Sequence, residues 1–168
     1  MKYTTVILLF TGFVFSSSAQ QTINASITHD GIERDYILYV PEIYDGSTAV
    51  PLVLNFHGFG SSASQQMFYG DFRDIADTEG FLLVHPEGTT LIGNQFWNVG
   101  FPELSSTIDD VGFTEALINE LATLYTIDLD RVYATGMSNG GFMSFLLVYR
   151  PTIRSRGLMK IGAGTSVT

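Results

Sequence analysis

Residues 131–149 constrain the fold more than any other part of the chain. The run Arg131-Val132-Tyr133-Ala134-Thr135 has the β-branched and aromatic make-up of a short strand, and the stretch from Asn139 to about Tyr149 is apolar over a helical length. Between them stands Gly136-Met137-Ser138-Asn139-Gly140-Gly141. A strand that turns into a helix within two residues brings the two backbones into near contact. Glycines on either side of the serine permit that approach and hold its Oγ out above the sheet on a strained turn. In this setting the G-x-S-x-G spacing predicts a nucleophile at Ser138; an ordinary serine in a glycine-rich turn would not need the flanking strand and helix.

The rest of the chain alternates in the same way. Arg34 to Val40 reads as a strand ended by Pro41, with Ile23 to Thr28 as its hairpin partner. Val50 to Phe56 is apolar nearly throughout, as in a strand of a parallel sheet covered on both faces. From Ser64 to Glu79, Met67, Phe68, Phe72, Ile75 and Ala76 recur at helical spacing, and Gly80 supplies a stop. Phe81 to Val84 is the next strand, and Pro86 to Thr107 lacks a sustained period and reads as a long loop near the substrate face. Asp109 or Asp110 caps a second helix with the stripe Phe113, Leu117, Leu121 and Leu124. The alternation predicts an α/β fold: a mostly parallel central sheet with helices on both faces.

His57-Gly58-Phe59-Gly60 directly follows the Val50 to Phe56 strand, where a loop can supply a backbone donor to a developing oxyanion. The expected pair of donors is the N–H of Asn139, just after the serine, and the N–H of Phe59. His57 and Gly58 are read as loop support, and His57 is not read as the general base. His85 is read as a loop residue. Trp97 is open to two readings, a platform that stacks on substrate or a ring packed beneath its loop.

Composition narrows the partners. The 17 Asp and Glu against 8 Lys and Arg disfavour nucleic acid and anionic membrane surfaces, which are bound through basic patches. The chain has no cysteine, so no disulfide or thiolate metal site contributes. Lys2, the apolar run Val6 to Phe15 and Ser16-Ser17-Ser18-Ala19 read as a signal peptide over residues 1–19, cut before Gln20; the run is too short for a membrane span of ~20 residues. The expected location is therefore secreted, extracellular or periplasmic. The triplet Asn24-Ala25-Ser26 is a sequon that matters only in a glycosylating host.

Several ordered motifs carry a resemblance. Tyr39 to Pro41, Leu54 to Gly58, His85 to Gly88, Trp97 to Gly100, Asp109 to Phe113 and Asp130 to Gly141 are similar to segments of secreted polyhydroxybutyrate-depolymerase-like and feruloyl or acetyl-xylan esterases. The similarity runs from about Arg34 to Leu147. It implies an α/β-hydrolase fold and hydrolysis of a small-molecule or polymeric ester through an acyl-enzyme, without metal or organic cofactor. In that order of motifs the triad acid and histidine follow the serine. Here no Asp, Glu or His follows Ser138, and Arg150, Arg154, Arg156 and Lys160 are half of the 8 basic residues.

The expected domain layout is therefore a partial hydrolase domain over residues 20–168, truncated in its C-terminal part, with 149–168 departing from the family pattern through a truncation or a frame change near residue 148. The strand Arg131 to Thr135 is expected to leave an open edge, unless Leu158 to Ala163 pairs with it. Beside the serine carboxylesterase stand two alternatives: a catalytically silent fragment or secreted binding module, and a peptidase on the same scaffold. The sequence does not specify an oligomeric state.

Overall fold

The computed structural model describes residues 20–102 and 106–149, and the backbone of 160–163. The expected signal peptide, and the departure from the family pattern at 149–168 apart from residues 149 and 160–163, lie outside the described residues. A six-stranded sheet has the order β1-β2-β4-β3-β7-β8, and a two-stranded sheet pairs β5 with β6.

β1 (Gln21–His29) and β2 (Ile32–Val40) form the expected hairpin, and β2 runs antiparallel to β4 (Leu82–Pro86). β3 (Val50–Phe56) lies parallel to both β4 and β7 (Ile127–Gly136). The parallel centre follows from composition, since strands buried on both faces need apolar side chains on both. Leu52, Leu54 and Phe56 point to one face, where they join Leu38, Leu82, Phe113, Leu117, Met143 and Leu147. Val53 points to the other and packs with Tyr39, Ala76 and Leu83. Thus α3 (Asp110–Leu124) and α4 (Asn139–Val148) cover the first face, and α2 (Arg73–Glu79) covers the second.

Three expectations change. The single helix over 64–79 is two, α1 (Ala63–Tyr69) and α2, because the carbonyl of Gly70 is taken by the Asn55 side chain at 3.0 Å and Asp71 turns back to the Arg73 N–H at 3.1 Å. Asp71 also binds the Arg73 guanidinium, which holds its carboxyl down at about 2. The break rotates Phe68 and Ile75 out to solvent, leaving Ala76 as the buried contact of α2. Gly80 does end α2, at φ 69.

The long loop after Pro86 contains a hairpin, β5 (Thr89–Leu91) and β6 (Asn94–Phe96), joined by Ile92 and Gly93 at φ 49 and 78. Both central residues have positive φ, as a two-residue hairpin turn demands; an isoleucine in that position hides the turn from sequence patterning. His85 is inside β4, not in a loop, and is fully buried. Of the two outcomes expected at the β7 edge, the pairing holds: β8 (Lys160–Ala163), within the Leu158 to Ala163 run, lies parallel to β7 from Tyr133 to Gly136. Among the described residues no helix is long and apolar enough to cross a membrane.

Candidate active site

β7 ends at Gly136, α4 begins at Asn139, and the serine between them is exposed at φ 51, ψ −114. A non-glycine residue there costs of order 1–3 kcal/mol and persists only where its surroundings enforce it. The enforcement is visible. Met137 N–H donates to Phe56 O at 3.1 Å, and Gly140 N–H returns to Met137 O at 2.9 Å. A Cβ on Gly136 would lie 2.6 Å from Phe56 O, and one on Gly140 would collide with the same carbonyl. The Ser138 hydroxyl makes no capping hydrogen bond to α4, which leaves it available at the end of the sheet.

The loop after β3 lies against this turn. A methyl group on Gly58 would stand 3.3 Å from Met137 O and 3.6 Å from Ser138 Cβ. Within the loop, Gly60 N–H donates to Gln95 O and Ser61 N–H to Gly58 O, whereas no backbone carbonyl among the described residues takes the N–H of Phe59. The N–H of Asn139 lies in the first turn of α4, where a helix supplies no carbonyl. The half-exposed Phe59 ring, Gly60, Ser61, Gln65, Tyr69 and Met137 line an open depression of about 360 Å³ beside the serine.

The other candidate residues form a buried frame. The Asn139 side chain closes a pair of hydrogen bonds on one residue: Trp97 N–H donates to its Oδ1 at 2.7 Å and its Nδ2 donates to Trp97 O at 3.0 Å. Trp97 Nε1 donates to His57 O at 2.9 Å, and the Trp97 ring packs edge-on against Phe56 and tilted against His57. Trp97 has no exposed surface. The substrate contact considered for it is therefore corrected: the ring is enclosed beneath the loop and ties it to α4.

His57 is equally enclosed, with Nδ1 2.8 Å from Gly58 O, while its Nε2 accepts from Gly88 N–H at 2.8 Å and stands 3.2 Å from Glu87 Oε1. Glu87 Oε2 accepts the Ala63 N–H at the start of α1. His85 bonds Asn55 inside the sheet, and His29 lies at the end of β1 beside Asp30 and Asp109.

Two supports were not legible in the sequence. Asp109 caps α3 as expected, accepting from Gly112 N–H, but its neighbour Asp110 is buried and makes a 2.6 Å ion pair with Arg34 of β2. The second Asp110 oxygen accepts Asn98 N–H at 2.7 Å, which anchors the residue next to Trp97. The doubled aspartate before a helix was the available signal; its arginine lies 76 residues away. Burial pushes the Asp110 carboxyl up, and the Arg34 guanidinium and Asn98 N–H pull it back. The second support is Asn55, whose Oδ1 accepts from buried Gln66 at 2.8 Å, joining β3 to α1.

His85 makes stability depend on pH. Burial pushes its imidazole down to about 4 from an ordinary 6.5, with Asp71 raising it and Arg73 lowering it. The unfolded chain takes up a proton below 6.5 that the folded chain refuses until about 4. Stability present above pH 6.5 is therefore lost as pH falls towards 4, by about 3 kcal/mol. Urea unfolding of the parent and of His85→Asn at pH 7 and pH 4 checks this: the variant should lose less stability than the parent by about that amount. Equal losses in the two proteins would show that His85 does not carry the dependence.

No protein-family model matches the chain. It is 34% identical over 111 residues to feruloyl esterase B of Piromyces equi, covering 66% of this chain and 20% of that protein. It is 30% identical over 125 residues to a bifunctional acetylxylan esterase/xylanase of Neocallimastix patriciarum, covering 74% and 17%. With the poly(3-hydroxybutyrate) depolymerase of Ralstonia pickettii it shares 30% identity over 142 residues, covering 77% and 29%.

Among solved structures, an S-formylglutathione hydrolase from Agrobacterium tumefaciens superposes with a TM-score of 0.65 at 18% identity, covering 86% of this chain and 60% of that one. An acetyl xylan esterase from Aspergillus awamori does so with a TM-score of 0.60 at 16% identity, covering 77% and 46%. The chain spans less than a third of each of these three sequence relatives. Over that span the sequence is similar to feruloyl esterases, acetylxylan esterases and poly(3-hydroxybutyrate) depolymerases, and the fold is that of the α/β-hydrolases.

Proposed function

We propose that the chain carries the nucleophile and oxyanion half of a secreted serine carboxylesterase. Ser138 Oγ attacks the ester carbonyl while the Asn139 and Phe59 N–H groups hold the oxyanion, its proton passes to the departing alcohol, and water then cleaves the acyl-enzyme, releasing the acid and returning a proton to Oγ. The observation that carries this reading is Ser138 itself: exposed, at φ 51, with a hydroxyl that caps nothing. Strain of this kind is retained where a side chain must be presented.

The names of the relatives suggest the substrates, feruloyl or acetylated cell-wall polysaccharide esters or a hydroxyalkanoate polyester. Residues 1–19 would act as a cleaved signal peptide and 20–168 as part of the hydrolase domain, with His57 and Gly58 supporting the oxyanion loop.

A second reading has its own support. His57 and His85 are buried and held by Gly58, Gly88 and Asn55, and a serine hydroxyl without a base is a weak nucleophile. On that reading the chain is a silent module that keeps the cleft.

A fluorophosphonate probe separates the two. The esterase reading expects covalent labelling of the folded chain at Ser138, abolished in Ser138→Ala, and hydrolysis of methyl ferulate or 4-nitrophenyl acetate with the same dependence. A chain with a native circular dichroism spectrum that takes up no probe would establish the silent reading instead.

A further inference from the structure

On the far side of the sheet from Ser138 in strand order, the turn between β1 and β2 meets the start of α3. His29 Nε2 stands 3.7 Å from Asp30 Oδ2 and 3.8 Å from Asp109 Oδ2. These separations are too long for hydrogen bonds, which need about 2.7–3.2 Å. The nitrogen is shielded from solvent, and no protein group hydrogen-bonds it. The site has a floor without a side chain: a Cβ on Gly112 would lie 2.9 Å from His29 Nε2 and would collide with Asp109 Oδ2.

We propose that His29, Asp30 and Asp109 bind a zinc ion that fastens the β1–β2 turn to the N-terminus of α3. One donor atom from each residue lies within 4.8 Å of the other two. Tetrahedral zinc with bonds of about 2.0–2.2 Å holds its donors roughly 3.3 Å apart, so small rotations of the two exposed carboxylates close the set. The chemistry selects zinc over the hard cations. An imidazole and two carboxylates suit a borderline ion, whereas calcium requires six to eight oxygen ligands that are not gathered here. Asp109 can serve both roles at once, since Oδ1 accepts the Gly112 N–H at 2.9 Å while Oδ2 faces His29. Solvent fills the open coordination positions.

The test is titration of the full chain, freed of metal with a chelator, with zinc chloride against a chromogenic zinc indicator, together with thermal melts. The expected result is one zinc per chain and a raised melting midpoint, with affinity reduced at least about tenfold in His29→Gln and in Asp30→Asn. Asp30 is an exposed turn residue at positive φ, where asparagine is well tolerated, so the second variant keeps the fold even if the first does not. Absence of saturable binding by the parent, unchanged affinity in Asp30→Asn, or displacement of zinc by an equal concentration of calcium would each overturn the proposal.

Discussion

Gly140→Ala is expected to cost at least about 3 kcal/mol, a large share of a stability of about 5–15 kcal/mol, and to leave little folded protein. The new methyl group would be driven into the backbone carbonyls of Phe56 and His57, the two residues at which β3 passes into the loop beside Ser138. Backbone cannot turn aside as a flexible side chain can. Relief would require α4 to move off β3, and with it the turn that holds Ser138.

The neighbouring glycine supplies the control. A Cβ on Gly141 meets nothing closer than Gly136 O at 3.3 Å. Alanine there also gains up to about 1 kcal/mol of helix propensity, so Gly141→Ala should stay within about 1 kcal/mol of the parent. Urea unfolding of the two variants decides the matter. If Gly140→Ala unfolds at the parent's midpoint, the close approach of α4 and β3 described above is wrong.

Asp110→Ala is expected to cost about 3–5 kcal/mol. It strands the Arg34 guanidinium, itself buried, over the Phe113 ring at 3.9 Å and leaves the Asn98 N–H without its acceptor. The pair is not a simple source of stability, because burial pushes the Asp110 carboxyl up despite the adjacent arginine. Its removal as a unit should therefore be far milder than the loss of one partner. Arg34→Met combined with Asp110→Leu is expected to recover most of what Asp110→Ala loses in urea unfolding. A double variant as unstable as the sum of its single variants would show instead that the two residues act independently. The effect should also reach Ser138, since Asn98 is fixed by Asp110, the adjacent Trp97 backbone clasps the Asn139 side chain, and Asn139 follows the serine.

Both variants touch features of different legibility. The strand, turn and helix around Ser138 could be read from residues 131–149, because glycine spacing and apolar period are local properties and the geometry they serve is local too. The same holds for the β1–β2 hairpin, the Asp109 cap and the Gly80 stop, where each residue acts on neighbours within a few positions.

The long run over 64–79 was legible as helical but not as two helices. The break depends on the Asn55 side chain, which belongs to another strand and takes the Gly70 carbonyl. Trp97 illustrates the same limit: its place in a polar, irregular segment fits either an exposed platform or a buried pin, and only the positions of His57 and Asn139 select the pin.

The amino-acid sequence by itself determined the α/β alternation, the exposed serine at a glycine-bracketed turn and the adjacent loop able to offer a second donor, since each rests on spacing along a single stretch of chain. Tertiary structure alone decided what holds that turn in place: Arg34 paired with Asp110, and Asn139 locked on Trp97. Those contacts join groups far apart in the chain, and their partners are chosen by the packing of the sheet and its helices, which no local period encodes.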